Sequence, residues 1–158
     1  MRRFILAALA PTVFAACQPA ATELTEAQLG EIQHAVIQAY EGYWNEWAAF
    51  ENVDEYMAYY CVWPESPMAG WESLDAIRAG AEEYWTTYSS WDVTFQETRV
   101  LVLGPDVAAV EGTTESVVTD TSDVAEVWTQ KSTSVWILRD GRWKILTWGF
   151  HSNNKRPV

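Results

Sequence analysis

Histidine and cysteine are scarce: the 158 residues hold two of each, far apart in the chain. No three of them have metal-ligand spacing, so no structural zinc and no bound metal is expected. Basic residues are also few, 10 against 22 acidic, a formal net charge of −12. Such a surface repels phosphate backbones and anionic headgroups, which excludes nucleic acid as a partner. Long apolar runs are missing. The apolar run Phe4 to Ala10 falls well short of the about 20 residues a spanning helix needs. No Gly-x-Ser-x-Gly elbow, phosphate loop or dinucleotide fingerprint occurs, and no cofactor is expected.

What is present begins with a targeting pattern. Met1-Arg2-Arg3 is a basic start, Phe4–Ala10 a short apolar core, and Ala15-Ala16 a small pair before Cys17. This is the layout of a secretory signal peptide over residues 1–16. Ala15-Ala16-Cys17 resembles a bacterial lipobox, with Phe14 where leucine is usual. The resemblance implies lipidation of Cys17 and a cell-envelope protein facing the periplasm or exterior. The alternative is a soluble secreted or periplasmic chain. Without Arg2 and Arg3, 8 basic residues face 22 acidic ones, a net of −14. The anchor would therefore be the lipid alone. Cys61 would be left single, without a disulfide partner, and reads as a small packed residue. Residues 17–24 read as a tether, 25–152 as one domain and 153–158 as a tail.

Ten Trp, seven Tyr and five Phe are many for one small domain. Aromatics fill cores and line pockets for flat ligands. Thr25-Glu26-Ala27-Gln28 is a capping box. Leu29, Ile32, Val36, Tyr40, Tyr43, Trp47 and Phe50 then recur every three or four residues, one stripe of a long helix. A short helix opens at Asn52 or Val53, with Asp54 in its first turn. Val62-Trp63-Pro64 reads as a brief strand. Ser73 caps a third helix whose stripe runs Leu74, Ile77, Ala81, Tyr84, Tyr88. From Trp91 the period becomes two: strands over Val93–Leu103, Val107–Thr119, Val124–Leu138 and Arg142–His151. Asp140-Gly141 supplies a hairpin turn with glycine where positive φ is wanted. Helices first and antiparallel strands later specify an α+β fold.

Four pieces of the chain, in order, resemble the NTF2-like superfamily, and within it SnoaL-like and DUF4440-type domains. They are the two leading helices to Val53-Asp54, the passage Val62-Trp63-Pro64 through Gly70 to Ser73-Leu74-Asp75-Ala76-Ile77, the strand Asp106–Gly112, and Asp140–Ile145 with His151-Ser152 downstream. The resemblance implies a cone: three N-terminal helices packed on a strongly curved antiparallel sheet, with a pocket at the open end. It also implies a homodimer through the outer sheet face. Fold does not choose among the many activities this architecture hosts.

The candidate site follows. On a regular strand His151 shares a face with Trp143, Ile145 and Thr147, so it would point inward as an acid/base, or sit at the rim bonding a neighbour. A bulge at Gly149 would instead turn Trp148 inward. Asp54 is the candidate catalytic carboxylate, or a helix-dipole partner. Trp63, Tyr59, Tyr60, Trp128 and Trp148 are candidate ligand-binding aromatics. Glu111 and Glu115 share the face opposite Ala108, Val110 and Gly112, which reads as the outer one. Three functions follow: a binder of an apolar or aromatic small molecule; a lyase, isomerase or hydrolase using His151 with Asp54 or a tyrosine; or an assembly module presenting aromatics such as Trp136 to another protein.

Overall fold

The computed structural model describes residues 23–61 and 74–158. Three helices precede four strands: α1 Glu26–Ala49, α2 Val53–Met57, α3 Leu74–Thr87, then β1 Tyr88–Gly104, β2 Val107–Asp120, β3 Ala125–Arg139 and β4 Arg142–Pro157. Thr25 Oγ1 accepts from the Gln28 amide while the Thr25 amide donates to Gln28 Oε1, so the capping box fixes where α1 starts. Phe50, in the left-handed region at φ 55°, ends it. Asn52 Oδ1 accepts from the Asp54 and Glu55 amides and starts α2. The Ser73 cap and the Val62-Trp63-Pro64 strand lie outside the described residues. Among the described residues no helix is long and apolar enough to cross a membrane.

The strands form one antiparallel meander in the order β1-β2-β3-β4. Asp140 and Gly141, at φ 52° and 75°, make the tight β3–β4 turn. Two ends differ from the sequence reading. Tyr88 starts β1 directly after α3, pairing with Asp120, rather than closing the helical stripe. Residues 153–157 are strand and not tail, because the first half of β3 needs a partner: Gln130 pairs with Asn153, Trp128 with Lys155 and Glu126 with Pro157.

Alternation sorts the sheet into two faces. Ala108, Val110, Val118, Trp128 and Trp136 turn inward against the helices and are buried, whereas Leu101 and Leu103 lie exposed on the outer face. Glu111 is exposed and Glu115 half-buried beside Arg156, as their outer position requires. Extra residues break the register at Gln96 in β1 and at Leu146 and His151 in β4. Such bulges bend a strand and increase its twist, and here they help curve the sheet around the helices. The helix layer sits close: a Cβ on Gly112 would collide with the Tyr40 hydroxyl. Cys61, half-buried, continues the chain out of α2 beside β4, its amide donating to the Ile145 carbonyl at 2.9 Å.

Candidate functional site

Between the helices and the inner sheet face lies a cavity of about 460 Å3. Its helical wall comes from Tyr43, Trp44 and Trp47 of α1, Tyr56 of α2, and Ile77, Ala81 and Tyr84 of α3. Its sheet wall is Trp91, Trp128, Gln130, Trp148, Phe150 and Asn153. The rings brace one another: Trp91 meets Trp128 edge-on at 4.9 Å, and Trp148 meets Phe150 at 4.3 Å. Lys155 rests its ammonium 3.4 Å from the centre of the Trp128 ring. No aspartate, glutamate, lysine, arginine or histidine is among the described lining residues.

Two polar features interrupt the aromatic lining. Tyr43, Tyr56 and Tyr60 bring their hydroxyls into a triangle with sides of 3.1, 3.2 and 2.8 Å. Burial, then the proximity of the neighbouring phenols, pushes Tyr43 and Tyr56 well above the usual tyrosine range; burial raises Tyr60 as well. All three are neutral phenols at physiological pH, able to donate a hydrogen bond but not to act as bases. The second feature is the Gln130 carboxamide. It belongs to a row of buried polar residues on the inner face of the two central strands, with Thr114, Ser116, Ser132 and Ser134. Thr114 Oγ1, Ser116 Oγ and Gln130 Oε1 have no hydrogen-bond partner.

The structure separates the residues expected to do chemistry. His151 is the extra residue of a bulge, is exposed, and shares a hydrogen bond with Thr133 Oγ1 on the outer face. The expectation of an inward His151 is corrected. The bulge at Leu146 reverses the faces after Ile145, which turns Trp148 inward and His151 outward, and the second bulge, at His151 itself, returns Asn153 and Lys155 to the inner face. The reversal foreseen at Gly149 therefore occurs three residues earlier. Asp54 is also outside the lining, exposed and paired with Arg78 at 2.6 Å. Tyr60, Trp128 and Trp148 do line the cavity. Tyr59 faces away, into a second pocket of about 500 Å3 with Glu46, Glu55, Arg142 and Trp143. Trp63 and Cys17 lie outside the described residues. Trp136 is not an exposed docking aromatic: it is fully buried, its indole N–H donating to Ser134 Oγ at 2.7 Å.

Several lining residues were not singled out from the sequence as site residues. Tyr43, Trp47 and Tyr84 stand in the helical stripes, where a pocket wall and a core give the same signal. Gln130 carried a weak signal, a large amide at an inward position of an alternating strand. Among the described residues no three His, Cys, Asp or Glu side chains are grouped to hold a metal.

The SnoaL-like domain model matches residues 34–150. No curated protein matches the chain. Solved structures do. A protein of Novosphingobium aromaticivorans, provisionally named a scytalone dehydratase, superposes with a TM-score of 0.70 at 13% identity, covering 85% of this chain and 93% of its own. The hexachlorocyclohexane dehydrochlorinase LinA-type3 of Novosphingobium barchaimii gives 0.64 at 11%, covering 84% and 94%. A provisionally named dehydratase of the NTF2-like family from Streptomyces avermitilis gives 0.60 at 14%, covering 82% and 98%. At such identities the likeness is one of fold.

Proposed function

The chain belongs to the SnoaL-like domain family, and on that premise we propose that it binds an uncharged aromatic or otherwise apolar small molecule between its helices and sheet. One observation carries this: a cavity of about 460 Å3 walled by aromatic rings, with no charged group among the described lining residues. The volume suits a small ligand, and a charge placed there would lose its water without gaining a partner.

A lyase is the second reading. It is favoured by the named activities of two similar structures, a dehydratase and a dehydrochlorinase. Elimination needs a base positioned on a substrate proton. His151 and Asp54 lie away from the cavity, and burial holds the Tyr43, Tyr56 and Tyr60 phenols on its wall protonated. Binding therefore ranks first.

The setting belongs to the same proposal. Residues 1–17 support export and lipidation of Cys17, and with them a cell-envelope setting for the domain. Exposed Leu101 and Leu103 support a homodimer through the outer sheet face.

Naphthalene is a suitable test ligand, since Trp44, Trp47, Trp91, Trp128 and Trp148 all line the cavity and report its occupancy by fluorescence. Saturable binding is expected. Ala81→Trp, which fills the cavity from α3, should weaken it at least tenfold while the circular dichroism spectrum is kept. Absence of saturable binding to the native protein rejects the reading.

A further inference from the structure

Among the described lining residues, Gln130 is the one that is polar, deeply buried and without a bond on its carbonyl. The residue is 4% exposed, and its Oε1 has no hydrogen-bond partner. A buried carbonyl-type oxygen left unpaired has lost its water without gaining a partner, so the position calls for an occupant that donates to it. Its surroundings narrow what that occupant is. Trp91 lines the same cavity, and its indole N–H, a donor only, is likewise buried without a partner. Asn153, the cross-strand partner of Gln130 on β4, puts a second carboxamide at the cavity wall, this one exposed. Trp128 stands two residues along β3 and meets Trp91 edge-on, so an aromatic surface flanks the amide. The tyrosine triangle contrasts with this. Its three hydroxyls bond one another, whereas Gln130 Oε1 makes no hydrogen bond, not even with the Thr114 hydroxyl of its cross-strand partner.

We propose that Gln130, assisted by Trp91 and Asn153, reads a hydroxyl group on the bound molecule, so that the ligand class is a neutral hydroxylated aromatic rather than a bare hydrocarbon. A hydroxyl is donor and acceptor at one atom. It can donate to the Gln130 carbonyl and accept from the Trp91 indole. It also serves if the amide is turned over, because it can then accept from the Gln130 nitrogen. A ketone or ether leaves the Gln130 oxygen unpaired. A carboxylate brings a charge into a wall with no countercharge among its described residues, under a surface that is already strongly acidic. In the empty protein, water can fill the same place, and the ligand hydroxyl then displaces it bond for bond.

This inference rests on the binding reading above, and the two fail separately. The probes are naphthalene, 2-naphthol, 2-methoxynaphthalene and 2-naphthoate, titrated against the native protein at pH 7 by tryptophan fluorescence and calorimetry. 2-Naphthol should bind at least tenfold more tightly than naphthalene. The methyl ether, which keeps the acceptor and loses the donor, should forfeit most of that gain, and 2-naphthoate should bind more weakly than naphthalene. Gln130→Leu should bring 2-naphthol to the variant's own naphthalene level, the ratio between the two ligands being the readout. If naphthalene binds and 2-naphthol shows no advantage, or the methyl ether matches 2-naphthol, the hydroxyl-reading role is wrong while the cavity stands. An advantage that survives Gln130→Leu assigns the hydroxyl elsewhere and overturns the role of Gln130. If none of the four binds, both readings fall. The native-protein comparisons decide the matter even if the leucine variant does not fold.

Discussion

Tyr43 contributes two of the three bonds in the hydroxyl triangle, and its hydroxyl shows how burial sets chemistry. Tyr43→Phe removes both while sparing the Tyr56–Tyr60 bond. The expected cost is about 1–2 kcal/mol of stability, read by denaturant unfolding. The same residue predicts an alkaline signature. Burial keeps Tyr43, Tyr56 and Tyr60 protonated in the folded state, while in the unfolded chain they ionise around pH 10. Above that pH the unfolded chain binds fewer protons than the native one, so stability falls as pH rises. The contribution should be intact below about pH 10 and decline above it. Melting curves from pH 8 to pH 11.5 should show that decline, shallower in Tyr43→Phe. Identical slopes would remove the triangle from the explanation.

At the scale of elements, α1 and β2 touch through a glycine. Gly112→Ala should drive a methyl group into the Tyr40 ring and lift α1 from the sheet, costing about 1–3 kcal/mol, as overpacked cores do. A variant that melts like the native protein would mean that the contact relaxes freely. The last strand carries the second element-scale prediction. Its final residues place Asn153 opposite Gln130 and Lys155 over Trp128. Lys155→Ala should cost about 0.5–1 kcal/mol, seen as a lower melting temperature and faster amide exchange around Trp128. The two β4 bulges decide more than shape. The one at Leu146 turns Trp148 toward the cavity and His151 away, and the one at His151 brings Asn153 and Lys155 back to the inner face, so a two-residue disagreement with strict alternation rewrites the candidate site.

For the whole molecule, the division of surfaces is the governing fact. Acidic side chains outnumber basic ones on the chain as a whole, yet the outer sheet face offers Leu101 and Leu103 to solvent at 63% and 58% exposure. Leu101→Glu with Leu103→Glu should convert a dimer to monomers in sedimentation velocity without altering naphthalene binding on the other face. A native protein that is already monomeric would end the dimer proposal. Lipidation belongs to this scale too. Cys17→Ser should move the protein from the membrane fraction to the soluble one, whereas an unchanged distribution would leave Cys17 without that role.

Local periodicity alone determined the order of helices and strands, the capping box at Thr25, the Asp140-Gly141 turn and the inward face of Ala108, Val110 and Gly112. These follow from neighbours a few residues apart, and short-range sterics and patterning are enough to specify them. Tyr60, Trp128 and Trp148 at the cavity wall were also legible, as inward or crowded aromatics. Only the tertiary structure decided that His151 faces out, that Asp54 pairs with Arg78, and that Gln130 is buried without a bond on its carbonyl. Each depends on pairing across strands or helices. A bulge changes that pairing by one residue at little local cost, and a chain read along its length does not contain the partner that registers it.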